Sequence, residues 1–173
     1  MRYFNGFSLC NEEEFFKEQL IESEYTVAGF SYGAQKAFEY VYNTTDRVDR
    51  LVLISPAFFQ NHKKSFIKTQ LRYFKADKKA YTKQFLKNVA YPSSVDLSSF
   101  LCAGTYEELE SLLSYIWVKE KIIELLESGV TIEVFMGDSD KIVDTKMSYE
   151  FFLELVPVYL FKDRGHLLLP NLK

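Results

Sequence analysis

The stretch "EYTVAGFSYGAQKAFEYVYN", residues 24–43, decides how this chain is read. Residues 25–30 are a short apolar, β-prone run, and from residue 32 the apolar positions Ala34, Ala37, Phe38 and Val41 recur at helical spacing. At the junction stands Gly29-Phe30-Ser31-Tyr32-Gly33, the Gly-x-Ser-x-Gly pattern of a serine held on a sharp strand-to-helix turn. Three fixed positions in common residues mean little alone; their place between a strand and a helix gives them weight. Such a turn strains the serine backbone, and side chains two positions to either side would collide with the neighbouring strand and helix. The helix N-terminus also directs positive potential towards charge that develops on a substrate.

Outward from this stretch, strand and helix patterns alternate. "RYFNGF" at 2–7 reads as a strand entering a tight Asn-Gly loop. "NEEEFFKEQLIES" at 11–23 has an acidic first turn after Asn11 and an apolar stripe at Phe15, Leu20 and Ile21, which predicts a helix. "RLVLISPA" at 50–57 is a near-continuous apolar run, as in a parallel strand buried on both faces. Strands are expected again at 131–137 and 157–162, with a helix over 145–155 between them. From about residue 60 to 128 only helix signals occur, among them the capping box of Thr105 and Glu108 ahead of "LESLLSYIW". The pattern predicts a single α/β domain over residues 1–173. It would hold about five mostly parallel strands with right-handed crossovers, flanking helices and a helical cap inserted at about 58–128.

A chain of 173 residues with 47% hydrophobic and 17% aromatic content can bury a substantial core, which excludes a disordered protein. The 16 Phe and 12 Tyr are expected chiefly in that core, with some available to line an apolar pocket. The longest apolar stretch lies near residues 51–59, far short of the ~18 residues of a membrane span. The start "MRYFNGF" lacks the charged, apolar and cleavage regions of a signal peptide. Cys10 and Cys102 have no paired spacing, so both are expected as reduced thiols in packed positions, with no metal site. Together these readings predict a cytoplasmic protein.

A serine hydroxyl is a weak nucleophile and needs a base within hydrogen-bond reach. Of the two histidines, His62 falls in a lysine-rich part of the insertion and is expected at the surface. His166 follows the last strand in "FKDRGHLLLP", which places it on the same sheet edge as Ser31. An acid is needed to orient the imidazole and stabilise its protonated form. "FMGDSDKIVD" after the preceding strand offers Asp138, Asp140 and Asp144, all of them also ordinary turn or cap residues.

With "LVLISPA" after the elbow helix, "GDSDKIV" after the next strand and "GH" after the last, the sequence resembles the α/β-hydrolase family along almost its whole length. The order Ser, Asp, His is the one that architecture uses. The resemblance implies Ser31 as nucleophile and His166 as base; the family's acid stands three residues after the glycine, which selects Asp140. "FNGF" at 4–7 is similar to the family's His-Gly-aromatic oxyanion loop, with Asn5 where histidine is usual. That likeness implies the backbone N–H groups of Phe7 and Tyr32 as oxyanion donors. No metal or organic cofactor is implied.

One departure is large. A full-length member has two strands before this loop, then a further strand and helix between the loop and the elbow. Here one helix separates Gly6 from Gly29, so a trimmed sheet is implied, entered by residues 2–5 and 25–30. Within the family, the combination resembles the short pimeloyl-acyl-carrier-protein methyl ester carboxylesterases of biotin synthesis in Helicobacter-type bacteria. "GTYEELESLLSYIW" and "GDSDKIVD" carry most of that likeness. It implies cleavage of a methyl ester on a pimeloyl chain held by acyl carrier protein. The alternatives are a serine hydrolase of other specificity, such as a thioesterase or small-ester esterase, and a non-catalytic basic interaction module on a hydrolase scaffold.

The formal net charge of −3 conceals a strong asymmetry. Residues 60–90 hold nine of the 21 Lys and Arg against the single acid Asp77, which leaves 12 basic and 23 acidic residues elsewhere. Lys64, Lys68, Arg72, Lys75, Lys79, Lys83 and Lys87 recur at intervals of three or four, on one helical face if the helix runs unbroken through Asp77. Like charges at this density repel one another, whereas stabilising surface helices mix signs. A solvated amphipathic face is the simplest reading. Nucleic acid is disfavoured by the acidic remainder of the chain and the lack of a binding motif. A membrane surface is compatible with the interleaved aromatics. An acidic carrier protein fits better, because it also accounts for a basic cap over an ester-binding pocket. The cap aromatics, with Trp117, are then candidates to line an acyl channel.

Overall fold

The computed structural model describes residues 1–171. Five parallel strands form one sheet in chain order: β1 (Arg2–Phe4), β2 (Thr26–Phe30), β3 (Arg50–Ile54), β4 (Thr131–Gly137) and β5 (Val158–Phe161). Around them lie α1 (Tyr32–Asn43), α2 (Lys64–Ala76), α3 (Lys78–Ala90), α4 (Tyr106–Ser114), α5 (Lys119–Glu127) and α6 (Thr145–Leu153). The register aligns Phe4 with Gly29, Gly29 with Leu53, Leu53 with Val134 and Val134 with Val158. The carboxyl ends of all five strands therefore open on one edge. That edge carries every candidate site residue of the α/β core.

Side chains alternate across the sheet with period two. Val27, Leu51, Leu53, Ile132, Val134 and Met136 face Phe38 of α1, Ile122 of α5 and Phe152 of α6. Ala28, Phe30, Val52, Ile54 and Phe135 meet a second cluster with Phe16, Val89 and Leu168. Burial on both faces is why β3 reads as an unbroken apolar run. A third cluster joins Phe7 and Tyr32 to Leu71 and Phe74 of α2 and to Leu109, Leu112 and Leu113 of α4. It seats α2 and α4 over the site edge, whereas α5 packs on the sheet face. The capping box of Thr105 and Glu108 is formed at the start of α4.

The segment 11–23 does not make the expected helix. Only Glu12–Phe16 winds, as a 3-10 turn, because Asn11 is left-handed (φ 61°) and Glu12 folds inward. Phe16 is fully buried, whereas Ile21 stays 58% exposed, so the apolar stripe has no surface to cover beyond the first turn.

The basic helix is broken at Asp77. Its Oδ1 accepts the Ala80 N–H at 2.9 Å, so the carboxylate serves as the N-cap of α3 and ends α2 one residue earlier. Lys64, Lys68, Arg72 and Lys75 thus lie on α2, and Lys79, Lys83 and Lys87 on α3, rather than along one continuous face. All seven are exposed, and among the described residues none forms an ion pair.

Cys10 and Cys102 are joined in a disulfide rather than held as separate thiols. Leu9 and Leu101 form an antiparallel bridge, the Cys10 N–H donates to Phe100 (2.8 Å) and the Cys102 N–H to Ser8 (2.9 Å). These bonds bring the two Cα atoms to 5.8 Å, within the bridging range, across a sequence separation of 92 that hides the pairing. Among the described residues no helix is long and apolar enough to cross a membrane.

Candidate active site

Ser31 sits between β2 and α1 with φ 55° and ψ −113°, a conformation rare outside glycine. Its surroundings hold it there. The Ser31 N–H donates to Ile54 at 2.9 Å, and its carbonyl accepts from Ala34 (3.1 Å) and Ala57 (3.2 Å). A Cβ on Gly29 would overlap the Gly33 carbonyl, and one on Gly33 would overlap the carbonyl of Phe4. Both glycines of the motif are therefore required by close approach, and the elbow is pressed against the end of β1.

The loops after β4 and β5 bring Asp140 and His166 together. Asp140 Oδ2 lies 2.6 Å from His166 Nδ1, with the two side chains 2% and 0% exposed. The other carboxylate oxygen accepts the N–H groups of Ile142 (2.6 Å) and Val143 (3.2 Å), so the carboxylate is oriented from both sides. An imidazole that donates from Nδ1 to a carboxylate presents its lone pair at Nε2. The His166 ring packs on Phe30, the residue before Ser31, at 4.9 Å between centroids. Its backbone carbonyl accepts from the Ser55 hydroxyl at 2.7 Å. Ser55 itself is strained (φ 41°) and was not legible as a support of this loop.

The other sequence candidates part company here. Asp138 Oδ1 accepts from the Ser139 hydroxyl (2.9 Å) and the Asp163 N–H (2.8 Å), as a turn residue does. Asp144 caps α6 by accepting the Met147 N–H at 3.1 Å. His62 is partly exposed, with its ring stacked on Phe66 at 4.2 Å. Ser31 Oγ and His166 Nε2 are both buried and, among the described residues, without hydrogen-bond partners, so they are not bonded to each other.

Tyr32 opens α1, so its N–H is one of the four that a helix leaves unpaired. Among the described residues neither this N–H nor that of Phe7 donates to another group. The Phe7 ring is gripped by Phe74 of α2 (5.9 Å) and Phe85 of α3 (5.6 Å). The next residue back, Gly6, donates its N–H to Glu12 Oε1 at 2.6 Å. Glu12 escaped the sequence reading because it stood first in a run of three acids that suits any helix start.

Glu12 is fully buried. Burial raises its carboxyl above the usual range, the Gly6 N–H and the Tyr3 hydroxyl pull it back, and neighbouring Glu13 pushes it up. A folded-state value above the unfolded one means that the native state holds the proton longer, so this group's contribution declines as pH rises through the interval between the two. The melting temperature of Glu12→Gln relative to wild type should therefore increase by a few degrees from about pH 4 to pH 8. A difference that stays constant over that range would refute the burial effect.

A cavity of about 500 Å³ lies between α2, α3, α4 and the loop after β4. Phe59, Phe66, Phe85 and Val143 form apolar wall, Gln70, Gln84 and Asn88 supply amides, and Asp140 reaches its margin. Tyr81 donates to Gln70 at 3.0 Å, and burial pushes its phenol up to about 12, so the phenol stays neutral. Trp117 does not line the cavity: it is core, with Nε1 donating to the Ala57 carbonyl at 2.9 Å. Gln35 on α1 ties α4 to the segment after β3 by donating to both Ala57 (3.0 Å) and Leu112 (3.1 Å).

The fold recurs in solved structures. A bromoperoxidase from Bacillus anthracis superposes with a TM-score of 0.64 at 19% identity, over 88% of this chain and 64% of its own. A carboxylesterase from Bacillus subtilis gives 0.55 at 20% identity, over 83% and 53%. MenH from S. aureus gives 0.61 at 14% identity, over 95% and 85%. The chain thus spans under two thirds of the length of the first two. No curated protein matches the sequence. The family model of the alpha/beta hydrolase fold matches residues 4–124, well over half of the chain, and the protein belongs to that family.

Proposed function

We propose that this protein is a serine carboxylesterase that removes the methyl group from a pimeloyl chain carried on acyl carrier protein. One observation carries the hydrolytic reading: a fully buried Asp140–His166 pair at 2.6 Å, on the same sheet edge as a serine held on a strained elbow. In this reading Ser31 Oγ attacks the ester carbonyl as His166 Nε2 takes its proton. Asp140 keeps the imidazole in the required tautomer and stabilises its charge. The N–H groups of Phe7 and Tyr32 receive the oxyanion at the start of α1, where the helix adds its positive end. His166 returns the proton to departing methanol, and a water that His166 deprotonates then frees the acid.

The substrate part rests on the sequence resemblance and on the cations of α2 and α3, seven exposed side chains without ion pairs among the described residues, on the two helices that supply part of a mostly apolar cavity wall. An acidic carrier would neutralise that surface while its acyl chain enters beneath. A second reading, a non-catalytic basic module, is favoured by the burial of Ser31 Oγ. Labelling with a fluorophosphonate probe separates the two, since a module leaves Ser31 unmodified. Incubation with methyl-pimeloyl carrier protein should then yield methanol and the free carboxylate. Labelling without that product would move the assignment to a hydrolase of other specificity.

A further inference from the structure

Glu12 is an expensive residue to bury. It is 0% exposed, its Oε2 has no hydrogen-bond partner among the described residues, and Oε1 accepts from Gly6 (2.6 Å) and from the Tyr3 hydroxyl (3.4 Å). A buried carboxyl group with an unpaired oxygen lowers stability, a cost that a role for the residue elsewhere would account for.

The loop it grips does not hold its shape unaided. Ser8 (φ 59°) and Asn11 (φ 61°) are both left-handed non-glycine residues within four positions. The Gly6 carbonyl accepts from Leu9 at 3.2 Å, and the Gly6 N–H is taken by Glu12. Both peptide planes that meet at Gly6 are thereby oriented. A trans peptide points its C=O and N–H in opposite directions, so anchoring the Gly6 carbonyl to Leu9 aims the Phe7 N–H away from that turn. On the other side, a Cβ at Gly6 would stand 2.8 Å from the Phe30 ring, beside Ser31. The loop is thus clamped between Glu12 and the residue that precedes the elbow.

We propose that Glu12 is the positioning residue of the oxyanion loop, accepting the Gly6 N–H so that the Phe7 N–H is aimed at the charge developing on the substrate. The inference rests on the esterase reading and on Phe7 as a donor.

The test compares Glu12→Gln, which keeps an acceptor at the same reach without charge, with Glu12→Asp, which keeps the charge but withdraws it by ~1.5 Å. Hydrolysis of a small soluble ester is measured, with inhibition by a trifluoromethyl ketone, whose adduct with Ser31 is an oxyanion. For Glu12→Asp, kcat and ketone affinity should fall together by about 10- to 100-fold while KM changes by less than about threefold, since the hole is filled only in the transition state. Glu12→Gln should keep kcat within about threefold of wild type. Melting curves of both variants verify folding. Wild-type kcat in Glu12→Asp overturns the proposal, and so does a Glu12→Gln protein as impaired as Glu12→Asp. A wild-type protein that neither hydrolyses the ester nor takes up the fluorophosphonate removes the esterase reading itself, and this inference with it.

Discussion

Replacing Ser31 or His166 by alanine is expected to lower kcat for ester hydrolysis by roughly 10⁴- to 10⁶-fold, with the double variant little worse than either single one. The groups act as a unit, so once the nucleophile or its base is lost the remaining partner has nothing to act on. Asp140→Ala should cost less, because the imidazole survives but loses the carboxylate 2.6 Å from Nδ1 that selects its tautomer. Asp138→Ala should leave turnover close to wild type, since that side chain serves Ser139 and Asp163 instead. The measurement is turnover of a chromogenic ester by each purified variant. Near wild-type activity in Ser31→Ala would sink the mechanism. Damage confined to Asp138→Ala would mean that the acid had been misassigned.

Reversing charge at Lys68, Arg72, Lys79 and Lys83 to Glu should lower kcat/KM on a carrier-linked ester by about 10²- to 10³-fold, through slower encounter and like-charge repulsion at the interface. The same variant should lose at least about tenfold less on a small soluble ester. The four positions are exposed on α2 and α3 and form no ion pair among the described residues, whereas Ser31, Asp140 and His166 lie in the loops after β2, β4 and β5. In the proposed reading, recognition and chemistry are therefore carried by separate segments. The wild-type rate on the carrier substrate should also fall as salt rises, because exposed charges more than ~8 Å apart are largely screened at 0.15 M ionic strength. Equal losses on both substrates would point to a damaged fold. No loss on either would leave the cations as a solvated face, and the carrier assignment without its physical support.

What the sequence determined by itself is local and periodic. The elbow, the five strands, α1 and the capping box at α4 could all be read from spacing, because each depends on residues within a few positions of one another. Asp140 could be reached only by adding the family's glycine-to-acid spacing, since turn chemistry alone left Asp138 and Asp144 equally suitable. The tertiary structure decided whatever depends on long-range partners. Cys10 and Cys102 are 92 residues apart and meet only because Leu9 and Leu101 pair. The acids at 12–14 have the pattern of a helix start, yet Glu12 turns inward because the Gly6 N–H lies within reach. At Asp77 the competition was between continuing a helix through a run of lysines and capping a new one, and the hydrogen bond to Ala80 prevails. Propensity and periodicity carry no information about a partner distant along the chain, and a buried polar group takes its meaning from that partner.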